Sequence, residues 1–129
     1  MDFLRELFRV PDPKKVSRFE DEKDLIRSLH YLDVRVRQGA ATGLAERGTL
    51  DAVEPLIVAL KDPDERVYQA VRAALFQVLT RLKGTADHQP ALAELRRSLE
   101  REKHPPLRQT VNEAIQFMET PASEPENPA

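Results

Sequence analysis

The chain has 129 residues, of which 33% are charged and 5% aromatic, with no tryptophan and no cysteine. This length suits one domain, and the scarcity of aromatic residues disfavours a β-sandwich, which relies on aromatic and β-branched side chains. The absence of cysteine excludes disulfides, thiol catalysis and Cys-bound zinc. The 20 basic and 22 acidic residues nearly balance, so the basic footprint of a nucleic-acid-binding domain is missing.

The first part of the chain predicts a short amphipathic helix over residues 2–9. Its apolar side carries two phenylalanines and two leucines: Phe3, Leu4, Leu7 and Phe8. Pro11 and Pro13 end this helix, because proline cannot continue one. The charged residues 14–23 are expected to form a linker with one helical turn. Neither a signal peptide nor a membrane span is indicated, since no long apolar run occurs, and a cytoplasmic location is expected.

Residues 24–119 are predicted to form one repeat domain divided into three units, 24–48, 49–84 and 88–119. In the first unit Asp33 is expected to cap a helix from Val34 to Arg47, and Gly48 to end it. In the second unit Asp62-Pro63-Asp64 predicts a turn and cap before a helix from Glu65 to Lys83. Residues 120–129 have no apolar side chain larger than Pro and are predicted to be a disordered tail.

A nine-residue phrase occurs three times, at 36–44, 67–75 and 107–115, each time on a predicted helix. Val36 and Val67 are 31 residues apart, whereas Val67 and Leu107 are 40 apart. Most of the extra length is assigned to the connection around Lys83 to Pro90. Self-similarity at a fixed period predicts a stack of helix pairs in which insertions fall in loops.

The residues that carry a family resemblance are Leu-Lys-Asp-Pro-Asp-Glu-Arg-Val at 60–67, followed by Ala-Val-Arg-Ala-Ala-Leu at 70–75. This segment resembles a HEAT repeat, and it is most similar to the short subclass named after the phycobilisome lyases. The resemblance implies a right-handed α-solenoid of about three helix pairs, whose second helices line a concave face where partners bind. Residues 2–9 would then cap the first pair, or alternatively dock a partner or a membrane surface.

The same resemblance implies a ladder in which an Asp at each turn pairs with an Arg six residues later. Only Glu102 and Arg108 supply both members here. Arg37 is preceded by Tyr31 at the Asp position, and Asp62 is followed by Tyr68 at the Arg position. A partial ladder is therefore expected.

The residues with catalytic or metal-binding chemistry are few and scattered. The three histidines, His30, His88 and His104, lie far apart, and no His-Glu dipeptide, Ser-His-Asp arrangement or glycine-rich phosphate loop occurs. The sequence therefore predicts no catalytic residue, no metal and no cofactor. An enzyme subunit or chaperone-like factor resembling the bilin lyases stays as an alternative that depends on the resemblance alone.

Nucleic-acid binding is a second alternative, suggested by Arg35, Arg66 and Arg72 on the second helices. Acidic residues accompany these arginines, and no aromatic residue is interleaved for base stacking. The charged positions are better explained as a solvated face. We therefore expect a protein partner, not nucleic acid or a membrane.

The leading interpretation is a non-catalytic interaction or scaffolding module, an adaptor that binds a partner through the concave face. Three glutamines share one repeat position, Gln38, Gln69 and Gln109, and four polar residues lie nearby on the same face, Thr42, Arg72, Asn112 and Glu113. A row of amides can hydrogen-bond an extended peptide, but glutamine is also a good polar helix former that could tie neighbouring repeats together. The face would be about 25 Å across. A monomer or weak homo-oligomer is expected.

Overall fold

The computed structural model describes residues 12–18 and 21–121. Within these residues it has six α-helices, two 3₁₀ turns and no strand. In chain order they are a turn at Val16–Arg18, α1 Glu22–Ser28, α2 Val34–Arg47, a turn at Leu50–Ala52, α3 Val53–Ala59, α4 Glu65–Leu82, α5 His88–Arg101 and α6 Pro105–Glu119. This architecture confirms the predicted all-α solenoid of three helix pairs. The predicted helix over residues 2–9 and the tail beyond residue 121 lie outside the described residues.

The helices form two layers with one continuous core between them. First helices α1, α3 and α5 make one layer, and second helices α2, α4 and α6 make the other. Leucines at matching repeat positions fill the core and are fully buried: Leu25, Leu56 and Leu95 in the first helices, and Leu44 and Leu75 in the second. Burying an aliphatic side chain of this size contributes about 1.5–3 kcal/mol, so the repeated leucines explain why the pairs stack.

Aspartate side chains start two of the second helices, α2 and α4, as the sequence predicts. The Asp33 carboxylate accepts from the Arg35 amide at 2.8 Å, and the Asp64 carboxylate accepts from the Arg66 amide at 2.8 Å. Each cap satisfies a backbone donor that the first turn of a helix leaves without a partner. Asp21 caps α1 in the same way, so α1 begins at Glu22 and not near Asp24.

Two glycines follow second helices, but for different reasons. Gly84 has φ +81°, the left-handed conformation that favours glycine, and a Cβ there would meet open space. Gly48 has an ordinary φ of −65°, yet a Cβ would lie 2.6 Å from the Leu44 carbonyl oxygen and 2.8 Å from Val78 Cγ2. Gly48 is therefore required because the last carbonyl groups of α2 and a side chain of α4 leave no room for a Cβ, not because of its φ angle.

The segment expected to be a linker instead packs on the first helix pair. Val16 is fully buried and lies against Gly39 of α2, while the Arg47 guanidinium donates to the Ser17 carbonyl oxygen at 2.6 Å. Residues 12–18 thus cover the side of α2 where a preceding repeat would otherwise stand. This matches the need of a solenoid for an end cap.

The extra length of the third unit is not confined to a connection, which corrects the expectation from the sequence. Helix α5 begins at His88, inside the predicted loop, and has 14 residues where α3 has seven. Ala91 and Leu92 in the first two turns of α5 are buried, and Pro90 near the start of a helix does not interrupt its hydrogen bonds. The insertion therefore lengthens α5 and also α4, which has 18 residues where α2 has 14.

The ties between units differ from the expected ladder. Arg37 forms an ion pair with Asp62 of the next unit. The Arg108 guanidinium donates to the backbone carbonyl oxygen of Glu102 at 2.8 Å, while the Glu102 carboxylate accepts from Lys61 at 3.0 Å. The expected pairing of the Glu102 and Arg108 side chains is therefore wrong, because the guanidinium caps the carbonyl end of α5 instead.

Candidate functional site

The second-helix face is the set of exposed side chains on α2, α4 and α6. Helix α4 shows how the sequence creates it: Val67, Val71, Leu75 and Val78 are fully buried, so the opposite side of the helix turns outward. The outward residues on α4 are Gln69, Ala73, Gln77 and Thr80. Helices α2 and α6 repeat this pattern, because their buried positions have the same spacing.

The glutamine row lies on this face as the sequence predicts, but its members do not bind one another. Gln38 is half-buried, and Gln69 and Gln109 are exposed. The Gln69 amide donates to Glu65 Oε1 at 2.8 Å, one turn earlier on its own helix. Among the described residues no hydrogen bond joins any two of these three glutamines. Gln69 therefore does not tie neighbouring repeats together.

Two of the four other predicted site residues come into direct contact. Arg72 Nη2 lies 3.1 Å from Glu113 Oε1, and both side chains are partly exposed, at 39% and 45%. The Thr42 hydroxyl donates to the Gln38 carbonyl oxygen at 3.1 Å. Asn112 is exposed and occupies in α6 the position that Arg72 has in α4. Arg72 faces α6, so Asn112 lies at the outer edge of the face.

An aromatic cluster beside Arg72 was missed by the sequence analysis. The rings of Phe76 and Phe117 meet edge to face with centroids 5.8 Å apart. The Arg72 guanidinium lies 5.1 Å from the Phe76 centroid, and the Lys83 ammonium lies 4.3 Å from the Phe117 centroid. We call these four residues the aromatic strip. A signal was present, since Arg72 and Phe76, like Glu113 and Phe117, are four residues apart and share a helix side.

The two seams between second helices are built from side chains of different size. In the first seam α2 contributes Ala41 and Ala45, which are buried, and α2 packs closely on α4. Arg72 and Phe76 occupy the same positions in the second seam. Large side chains therefore span the gap between α4 and α6, and they leave parts of Arg72, Phe76 and Phe117 accessible to solvent.

The second seam also contains a side-chain hydrogen bond away from the strip. The Tyr68 hydroxyl lies 2.8 Å from the hydroxyl of Thr110, which is 1% exposed. Tyr68 stands where the family pattern has arginine, so this bond replaces a rung of the expected ladder. The seam thus changes from polar near Tyr68 to aromatic near Phe117.

The charged groups at the start of the face are already paired. The Arg35 guanidinium donates to Asp33 and the Arg66 guanidinium donates to Asp64, and these side-chain hydrogen bonds lower the pKa of each carboxyl below its usual value. Arg35 and Arg66 are therefore engaged in local ion pairs. The middle of the face is instead dominated by neutral amides and hydroxyls.

Two of the three histidines, His88 and His104, accept hydrogen bonds from backbone amides. His88 Nδ1 accepts from the Gly84 amide at 2.9 Å, and His104 Nδ1 accepts from the Leu107 amide at the start of α6. Across residues 12–18 and 21–121, no group of three or more His, Asp or Glu side chains is arranged to hold a metal ion. In the same part of the chain, no helix is long and apolar enough to cross a bilayer.

Stacked helix pairs with an open second-helix face define an α-solenoid, a class whose repeats contact only their neighbours. The family model for HEAT repeats matches residues 22–116, and the chain belongs to the HEAT-repeat family. The match does not single out the phycobilisome-lyase subclass. No curated protein and no solved structure matches the chain. HEAT repeats commonly mediate protein–protein interaction.

Proposed function

We propose that this chain is a non-catalytic interaction module that binds a protein partner through the second-helix face. One observation carries the proposal: the face exposes amide and hydroxyl side chains from three successive helices. These groups lie beside the aromatic strip. Gln69, Gln77, Gln109 and Asn112 are exposed. Amide groups of this kind can both donate to and accept from a peptide main chain.

The neutral middle of the face favours a protein partner over nucleic acid. Arg35 and Arg66 are paired with their cap aspartates, and Arg72 is paired with Glu113. Nucleic-acid affinity depends on releasing counterions from many phosphates, and these arginines are already matched by carboxylates. We expect partner binding to change little between low and physiological salt.

The proposal is tested with a photo-crosslinking residue at position 69 of the full chain. The matched control has the same residue at position 93, which is exposed on α5 in the other layer. A partner should crosslink from position 69 and not from position 93. The triple variant Q38A/Q69A/Q109A, crosslinked from position 73, should lose the same product. Equal crosslinking from positions 69 and 93, or a product unaffected by the triple variant, would refute the proposal.

A further inference from the structure

Arg37 joins the first two helix pairs by dividing its donors between them. Its Nη1 group donates to the carbonyl oxygens of Tyr31 and Leu32, in the turn before α2. Its Nε and Nη2 groups donate to the carboxylate of Asp62, in the turn after α3. One edge of the guanidinium therefore binds the turn of its own pair, and the other edge binds the turn of the following pair.

Arg108 occupies the same repeat position in the third pair, where only the first half of this arrangement is present. Its Nη1 group donates to the carbonyl oxygens of Leu99 and Glu102 in its own pair. Across residues 12–18 and 21–121, its Nε and Nη2 groups have no hydrogen-bond acceptor. In the same residues every buried side-chain nitrogen or oxygen has a partner, so these two unpaired groups must reach solvent.

Two aliphatic side chains of the third pair are also less covered than their counterparts. Leu99 and Ile115 are half-buried. The leucines at the same repeat positions in the first two pairs are at most 3% exposed: Leu29, Leu60, Leu44 and Leu75. Each repeat of a solenoid buries its apolar side against its neighbours, and no described helix pair follows α6. Leu99, Arg108 and Ile115 therefore form a partly apolar surface with unpaired cationic donors, which we call the third-pair end.

We propose that the third-pair end binds a helix pair of a partner protein that carries an Asp or Glu at its turn. The partner's carboxylate binds Arg108 as Asp62 binds Arg37, and aliphatic side chains of its helices cover Leu99 and Ile115. A carboxylate bound by two donors of one arginine fixes orientation as well as adding affinity, so this contact sets the register of the docked pair. The third-pair end is separate from the second-helix face, and the proposal does not depend on the proposed function.

A second copy of this chain does not supply the required helix pair. The residue at the Asp position of its first pair is Tyr31, which has no carboxylate. The acids at this position in the second and third pairs are already bound within the chain. The side of α2 that would face a preceding pair is covered by residues 12–18, with Val16 fully buried. The complementary chemistry therefore indicates a different protein.

The first experiment adds a helix pair of known structure to the full chain. A second copy of residues 50–84 is inserted after Thr120, which occupies the repeat position of Thr49, and residues 121–129 are kept behind it. In NMR spectra the methyl signals of Leu99 and Ile115 should shift. The Arg108 Nε–H should exchange with solvent about tenfold more slowly than in the unmodified chain, because its hydrogen bond must open before exchange. The Arg37 Nε–H, which is bound in both chains, is the internal reference.

Substitutions within the inserted copy show whether the carboxylate is responsible. Asp62→Ala in the copy should restore fast exchange at Arg108 and leave Arg37 unchanged. Asp62→Asn should also reduce the protection, and it keeps the oxygen that accepts from the Asp64 amide, so the added pair keeps its turn. The matched control Pro63→Ala keeps the carboxylate and should keep the protection. Methyl signals that do not respond to the insertion, or slow exchange that survives both Asp62 substitutions, would overturn the proposal.

The second experiment tests the natural occupant by photo-crosslinking in an extract of the source cells. The crosslinking residue replaces Lys103 of the full chain, which is exposed in the turn next to Glu102. The crosslinked segment of the partner, mapped by mass spectrometry, should be a helix pair with an Asp or Glu at its turn. R108Q should abolish this product, whereas the control R101Q, which removes an exposed arginine of α5, should not. A product that joins two copies of the chain, a product indifferent to R108Q, or no product from position 103 would overturn the proposal. Retention of the crosslink from position 69 in R108Q would show that the second-helix face still functions when the third-pair end does not.

Discussion

Arg37 in the first helix pair and Asp62 in the second form an ion pair that is nearly removed from solvent. Arg37 Nε lies 2.7 Å from Asp62 Oδ2, and the side chains are 14% and 7% exposed. The same guanidinium donates to the carbonyl oxygens of Tyr31 and Leu32 at 2.8 and 2.9 Å. One arginine thus binds two carbonyl oxygens of the connection between α1 and α2 and fixes the position of the next repeat.

Replacing Asp62 with alanine should therefore destabilise the chain strongly. The substitution leaves a buried guanidinium without its carboxylate, and breaking one side of such a pair costs about 3–5 kcal/mol. Urea unfolding followed by circular dichroism measures the loss. The control is R35A, which removes a pair whose arginine is 71% exposed and should cost at most about 1 kcal/mol. Equal losses in the two variants would contradict this assignment.

The second helices were predictable because their signals are local. Asp33 lies next to the helix that it caps, and the spacing of Val67, Val71 and Leu75 identifies the buried side of α4 within one stretch of chain. The second-helix face follows from the same spacing. Its polar members could therefore be placed on one side of the stack before any packing was known.

The contacts between repeats were not predictable, because they join residues far apart in the chain. Arg37 meets Asp62 across 25 residues, and Arg72 meets Glu113 across 41. The helical period places each side chain on a face but does not give the distance between two helices. That distance depends on the side chains in the seam. The small residues of the first seam could not be used to predict the contact between Phe76 and Phe117 in the second seam.

The stability of the chain should fall as the pH drops below about 4, because of the two cap aspartates. Hydrogen bonds from Arg35 and Arg66 hold the pKa of Asp33 and Asp64 below their usual 3.8. The folded chain therefore binds these protons less readily than the unfolded chain. The caps contribute fully above the unfolded pKa, and their contribution is lost as the pH falls through the lowered folded pKa.

The double variant D33N/D64N isolates this effect. Asparagine keeps an oxygen that can cap the helix but does not titrate in this range. Comparing the urea midpoint at pH 7 and pH 3 should show a smaller difference in the variant than in the unmodified chain. An undiminished difference would assign the acid sensitivity to other carboxyls.

Replacing Gly48 with alanine should destabilise the end of α2 and its contact with α4. The new Cβ would lie 2.6 Å from the Leu44 carbonyl oxygen, a backbone atom of α2, and 2.8 Å from Val78 Cγ2 of α4. Overpacking of this kind costs about 1–3 kcal/mol. Thermal unfolding measures the loss, with G84N as the control that distinguishes crowding from backbone strain. Asparagine tolerates the left-handed conformation at Gly84, and no atom lies within 4 Å of a Cβ there. G48A should lower the melting temperature more than G84N.

The bond between Tyr68 and Thr110 should couple the second and third helix pairs. Y68F removes a hydroxyl and leaves the buried Thr110 hydroxyl without this partner, which should cost about 1 kcal/mol. T110V replaces that hydroxyl with a methyl group of similar size. If the bond holds the pairs together, a double-mutant cycle of Y68F and T110V measured by urea unfolding should give a coupling free energy of about 1 kcal/mol. The double variant should then be hardly less stable than Y68F alone, because the valine side chain has no hydroxyl left unpaired. Strictly additive losses would show instead that the two hydroxyls contribute independently.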